Sequence, residues 1–274
     1  MDNGYYAIGQ SRIHYYSWGK GSRLLFCFHG YGESGASFAF LGEALGTDYT
    51  VVAIDLPFHG LTEWNEGLFF DPQQLTILLR DIAAGLPGSP ARWELLGYSM
   101  GGRIALQLLE NSPDSIEKLV LLAPDGLVVN PWYWLATQTG WGNRLFEWTM
   151  RRPGWFFLLL RLGNALRLVN PSVYKFTVNY INDEAVRRDL YIRWTTMRGF
   201  RPHLSVIRDM IRARRLPVEL VYGRYDRIIR WERGEKFRKK GIAADCRLTL
   251  IDTGHQLLRV QYLDVYLPII QHLP

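Results

Sequence analysis

Apolar residues in this chain gather in short, near-continuous runs of strand length, at 24–28, 50–54, 93–96 and 119–122. A strand with one solvated face would alternate apolar and polar positions. Unbroken runs fit strands covered on both faces, as in a parallel sheet between layers of helices. Segments of helical period lie between them, at 37–45, 72–84 and 101–110. This alternation predicts an α/β fold with a doubly wound, mostly parallel sheet. Ahead of it, 5–7 and 13–17 read as an antiparallel hairpin at one edge.

The alternation stops after Asp125. The next eighty-odd residues are aromatic, arginine-rich and helical in period, broken at Pro131, Pro153-Gly154, Pro171 and Pro202. The β/α pattern then resumes with a strand at 218–222, a helix at 231–240, a strand at 246–251 and a closing helix at 257–271. The expected organisation is therefore a core of residues 1–125 and 213–274, with 126–212 inserted as a helical cap. Such an insert would naturally cover the carboxyl edge of the sheet, where open α/β sheets bind ligands.

The net charge of +6 belongs to the insert, where thirteen Lys and Arg stand against five Asp and Glu. Six of the ten tryptophans lie there as well. No nucleic-acid motif accompanies this charge, so nucleic acid is not expected as a partner, and the arginines read as solvated helix faces. Trp155-Phe156-Phe157-Leu158-Leu159-Leu160 is read first as the cap's underside, with membrane contact the lesser reading. Two cysteines in 274 residues make no disulfide framework, and residues 1–10 lack the pattern of a signal peptide. A cytoplasmic protein is expected; oligomeric state is left open.

The strongest local signal is Gly97-Tyr98-Ser99-Met100-Gly101-Gly102, between an apolar strand and a helix. A strand-to-helix turn this tight lifts a serine hydroxyl off the sheet and aims the Met100 N–H at the same space. Serine needs a base to take its proton. Of six histidines, His255 has the best position, on the loop between the last strand and the last helix. His14, His203 and His272 have weaker ones. The base needs an acid to fix its tautomer. Asp226 follows the strand 218–222 and is favoured; Asp125, one strand earlier, is the rival. A second oxyanion donor, the Tyr31 N–H, would come from His29-Gly30-Tyr31-Gly32. His29 and the Asp55/His59 pair are expected to brace loops.

These motifs in this order, with Asp55-Leu56-Pro57-x-His59-Gly60, Gly223-x-x-Asp226 and Gly254-His255, resemble the α/β-hydrolase superfamily over nearly the whole chain. The resemblance implies an eight-stranded sheet, a helical cap between strands 6 and 7, and a mechanism with no cofactor and no metal. Where this chain has Phe58 the family often has glycine, which puts a bulky side chain near the site. Serine at residue 99 argues against the haloalkane dehalogenase and epoxide hydrolase branches, which use aspartate there.

The function expected is hydrolysis of an ester-like small molecule, a carboxylic ester or thioester, through an acyl-enzyme on Ser99. Carbon–carbon bond hydrolases and the lyases of menaquinone synthesis have similar motifs; in the latter Arg103 would bind a substrate carboxylate. His29, Phe58 and Arg103 are the weaker candidates for substrate contact. An arginine-rich cap would suit an anionic or aromatic substrate. A non-catalytic ligand-binding protein on the same fold is the alternative from another class.

Overall fold

A computed structural model describes residues 1–88, 90–128, 130–168, 174, 178 and 181–271. Each apolar run becomes a strand, and eight strands form one sheet. In chain order these are β1 Asp2–Ile8, β2 Ser11–Trp18, β3 Arg23–Phe28, β4 Tyr49–Ile54, β5 Trp93–Tyr98, β6 Ile116–Leu122, β7 Val218–Gly223 and β8 Cys246–Ile251. Their order across the sheet is β1-β2-β4-β3-β5-β6-β7-β8. β1 and β2 form the expected hairpin, with Tyr5 opposite His14, and β2 runs antiparallel to β4. All later neighbours are parallel. Every residue of β4, β5 and β7 is buried, as unbroken apolar runs require.

The chain divides into two compact units, one of 1–66, 71–128 and 199–274, the other of 67–70 and 129–198. The first holds the sheet and its helices. Helix Pro72–Gly85 starts where Asp71 accepts from the Gln73 N–H at 2.9 Å, with proline in the first turn. The closing helix starts at Leu263, after a 3₁₀ turn at Val260–Tyr262, rather than at 257. Tight bonds from Leu257 N to the His255 carbonyl and from Arg259 N to that of Leu257 hold the intervening segment out of helix.

Apart from 67–70, the second unit lies in sequence between β6 and β7, and it is shorter than the expected insert. Helix Leu204–Arg214 belongs to the first unit. There the Arg201 and His203 N–H groups donate to Gln107 and Glu110 of helix Met100–Asn111, at 2.8 and 2.9 Å. The second unit has its own helices, at Pro131–Gln138, Gly140–Arg151, Gly154–Ala165 and Glu184–Thr196. Phe146 lies 5.5 Å from Tyr191 and 5.7 Å from Trp194, ring to ring, and Tyr133 lies 5.2 Å from Trp194. Arg187 departs from the expectation of solvated arginines: it is buried and donates to the carbonyls of Met150, Ile181 and Asn182. Among the described residues no helix is long and apolar enough to cross a membrane. Pro171 and His272 lie outside the described residues.

Away from the strand ends that carry the motifs, the sheet buries a charged cluster. Glu94 has no solvent exposure and accepts from Arg23 and from the Tyr49 hydroxyl. Burial raises its carboxyl above the ordinary glutamate range, and Arg23 and Lys118 offset this in part. Removing one partner of such a cluster strands the other charge. Arg23→Ala should therefore lower the unfolding free energy by about 3 kcal/mol, and Glu94→Gln in the same background should recover part of the loss. Urea titration of the three proteins checks this; a loss below about 1 kcal/mol would place Arg23 among ordinary surface pairs.

Candidate active site

β5 runs into Ser99, and helix Met100–Asn111 starts one residue later. To make that turn Ser99 takes φ 51° and ψ −113°, a backbone conformation costing a non-glycine residue on the order of 1–3 kcal/mol. Hydrogen bonds hold it there. The Ser99 N–H donates to the Leu122 carbonyl at 2.9 Å, and its own carbonyl accepts from Gly102 and Asp125 at 2.9 and 2.8 Å. The glycines are required by close approach. A Cβ on Gly97 would lie 2.4 Å from the Gly101 carbonyl oxygen, one on Gly101 2.0 Å from that of Phe28, and one on Gly102 2.4 Å from Pro124.

The acid and base come from the ends of β7 and β8. A Cβ on Gly223 would meet the Gly254 carbonyl at 2.0 Å, so glycine there lets the two loops lie side by side. The Arg224 and Tyr225 N–H groups bond to the Ile251 and Thr253 carbonyls across that junction. His255 Nδ1 stands 2.7 Å from Asp226 Oδ2 and His255 Nε2 3.1 Å from Ser99 Oγ. Serine, histidine and aspartate thus form one hydrogen-bonded line. Asp226 Oδ1 accepts from the N–H groups of Ile228 and Ile229. Burial alone would raise the Asp226 carboxyl. The bonds from His255 and the two amides outweigh it and hold the group below the ordinary aspartate value.

Asp125, the rival acid, faces elsewhere. Its carboxylate accepts from the Gly126 N–H and lies 3.6 Å from the Arg103 guanidinium. Arg103 is not solvated; it is buried, with its guanidinium toward Asp125, on the first turn after the elbow. His29 is fully buried, with Nδ1 2.8 Å from the Gly30 carbonyl and Nε2 accepting from the Leu56 N–H. It braces these two loops. Gly30 brings this segment to the elbow: a Cβ there would lie 3.4 Å from that of Ser99. The Gly30 N–H donates to Glu33, so Tyr31 carries the next N–H along this loop. Met100 opens its helix, where an N–H has no carbonyl four residues back.

The backbone at Phe58 shows why glycine is usual at this position. The His59 N–H bonds the Leu56 carbonyl across Pro57-Phe58, and Phe58 sits at φ 62°. That is the third position of a turn which ordinarily requires glycine. Two neighbours of His255 escaped the sequence reading. The Tyr98 hydroxyl donates to the His255 carbonyl at 3.0 Å, and Glu33 lies near enough for His255 to oppose the rise that burial imposes on its carboxyl. Tyr98 occupies a variable position of the Gly-x-Ser-x-Gly pattern, which gave no signal. His203 is a surface residue, 2.7 Å from Glu110. Among the described residues no cluster of His, Cys, Asp and Glu could hold a metal ion.

Comparison with known proteins agrees with this architecture. The family described as "Serine aminopeptidase, S33" matches residues 19–259. The chain belongs to that family and is a hydrolase of the α/β-hydrolase fold. Pimeloyl-[acyl-carrier protein] methyl ester esterase from Vibrio parahaemolyticus is 25% identical over 222 residues, covering 80% of this chain and 82% of that one. A thermophilic esterase from Thermogutta terrifontis superposes with a TM-score of 0.65 at 18% identity, covering 99% of this chain and 96% of that one. The thioesterase domain from the curacin biosynthetic pathway gives 0.65 at 18%, covering 99% of each.

Two outcomes follow from this geometry. Gly101→Ala should destabilise the fold by about 3 kcal/mol, because the added methyl meets backbone; a thermal midpoint equal to the parent's would refute the close approach. Asp226, with its lowered pKa, contributes stability that is complete above the ordinary aspartate value and lost as pH falls through the lowered one. The stability gap between parent and Asp226→Ala should therefore be full at neutral pH and vanish well below about pH 4. Denaturant titrations across that range test the sign.

Proposed function

We propose that the protein hydrolyses a carboxylic ester or thioester of a small molecule through an acyl-enzyme on Ser99. The observation that carries this reading is the Ser99–His255–Asp226 line, with the serine on a strained turn at a helix N-terminus. His255 Nε2 accepts the hydroxyl proton as Oγ attacks the carbonyl carbon. Asp226, kept ionised, holds the Nδ1 proton in place and stabilises the imidazolium. The N–H groups of Tyr31 and Met100 receive the oxyanion, each worth about 3–4 kcal/mol of barrier. His255 then protonates the leaving alcohol or thiol, and afterwards takes a proton from the water that attacks the acyl-enzyme.

The relative from Vibrio, named for its action on a methyl ester, supports the substrate class. The lyase reading, drawn from the elbow's resemblance, gives Arg103 a substrate carboxylate, and the approach of Arg103 to Asp125 favours the esterase reading over it. The helical insert is the cap of this proposal and the element that sets substrate choice. A cytoplasmic setting belongs to the same reading.

A fluorophosphonate probe should label the parent protein and leave Ser99→Ala unlabelled. Turnover of p-nitrophenyl esters should fall by roughly 10⁴ in Asp226→Asn, in which the histidine tautomer is no longer fixed. Absence of both labelling and turnover in a folded sample would overturn the esterase assignment and favour ligand binding without chemistry.

A further inference from the structure

The second unit carries an apolar surface that its own packing does not use. In helix Gly140–Arg151 the inward positions are Gly142, Phe146, Thr149 and Met150. Trp141, Leu145 and Trp148, spaced i, i+4, i+7, form a different stripe, and all three are exposed. The next helix, Gly154–Ala165, buries none of its residues. Its Leu158, Leu159 and Leu162 are each more than half exposed, and Leu166 after it is 68% exposed. Trp155, Leu159, Leu162 and Leu166 recur at i, i+4, i+7, i+11, again on one face. The two stripes adjoin, because Trp148 of the first stacks on Trp155 of the second, with ring centroids 5.6 Å apart and planes 19° from parallel.

Charge borders this surface with one sign. From 131 to 168 the chain has five arginines and a single acidic residue, Glu147, which is paired with Arg151. Arg144, Arg161 and Arg167 are exposed; on the helical wheel Arg144 projects beside the first stripe, and Arg161 lies next to the exposed Leu158.

We propose that these two helices form a docking surface for the headgroup region of an anionic lipid bilayer. Exposed tryptophan and leucine would enter the boundary between headgroups and acyl chains, and the arginines would meet lipid phosphate. The charge pattern selects this occupant over a second copy of the chain. A twofold pairing sets each surface against itself, bringing arginine rims of like sign together around the apolar contact. An anionic bilayer supplies both complements, an apolar layer and a negative rim.

Co-sedimentation with vesicles tests this, using phosphatidylcholine alone and phosphatidylcholine mixed with phosphatidylglycerol. The parent protein should pellet with the mixed vesicles, and added salt should release it. Leu158→Glu/Leu162→Glu, placed at exposed positions, should reduce binding by more than about tenfold at an unchanged thermal midpoint, and Arg144→Ala/Arg161→Ala by about tenfold. Brominated lipid should quench parent tryptophan fluorescence, and Trp141→Phe/Trp148→Phe should quench less, a readout independent of the leucine variant. Absence of pelleting with anionic vesicles would overturn the proposal, as would equal pelleting by parent and leucine variant. A concentration-dependent dimer that the leucine variant dissociates, without vesicle binding, would assign the surface to a second copy instead.

Discussion

The backbone of Ser99 is the constraint around which the first unit is arranged. A positive φ on a residue with a side chain persists only if its surroundings over-determine it. Here three hydrogen bonds fix the Ser99 peptide groups, and they come from the strand and loop on one side, Leu122 and Asp125, and from the following helix turn. The strain also dictates composition at a distance. Helix Met100–Asn111 must pass so close to β3 that Gly101 can bear no side chain against the Phe28 carbonyl, and so close to the loop after β6 that Gly102 packs on Pro124. One unfavourable torsion thereby sets the spacing of three neighbouring segments.

The histidine side meets a different requirement, that of aligning two loops from adjacent strand ends to within hydrogen-bonding tolerance. Backbone does most of this. Gly223 admits the Gly254 carbonyl, and amide bonds from Arg224 and Tyr225 bind the loops before any side chain takes part. Asp226 then has one oxygen held by two amides and the other on His255, so the carboxylate has little freedom to turn. Tyr98 closes the arrangement: the residue before the serine holds the carbonyl of the histidine. The position of the base is thus tied to the elbow twice, through its ring and through its peptide.

What the sequence made legible follows from the range of each signal. Continuous apolar runs report burial on both faces, a local property, and six of the strands trace to them or to the resumed pattern near residues 218–251. Glycine spacing reports backbone approach, so the elbow stood out in the sequence, whereas Gly223 and Gly254 appeared only as separate motif residues and their junction is spatial. The bracing role of His29 was readable from its place on the loop directly after the strand 24–28. Arg103 was not, because whether an arginine on a first helical turn is solvated or paired depends on a loop after another strand. The place of Asp125 was undecided for the mirror-image reason. Glu33 and Tyr98 carried no pattern at all; their significance is purely spatial.

The second unit illustrates why composition alone does not separate interior from surface. Its tryptophans look equivalent in the sequence, yet Trp194 packs against Tyr133 and Phe146 while Trp141 stands 63% exposed. Helical phase makes the difference. Residues 142, 146 and 149 turn toward the other helices of the unit, whereas 141, 145 and 148 lie about a third of a turn away and face water. The arginines divide likewise, Arg187 being enclosed by three carbonyls and Arg144 lying in solvent. A helix whose apolar residues span more than its packing face leaves surface that water solvates poorly, at roughly 25 cal/mol for each Å². Scattered exposed leucines are ordinary in any protein. Two stripes joined by a tryptophan stack and bordered by charge of one sign make a surface with a direction and a complement, and that is what separates a docking face from the background of exposed apolar residues.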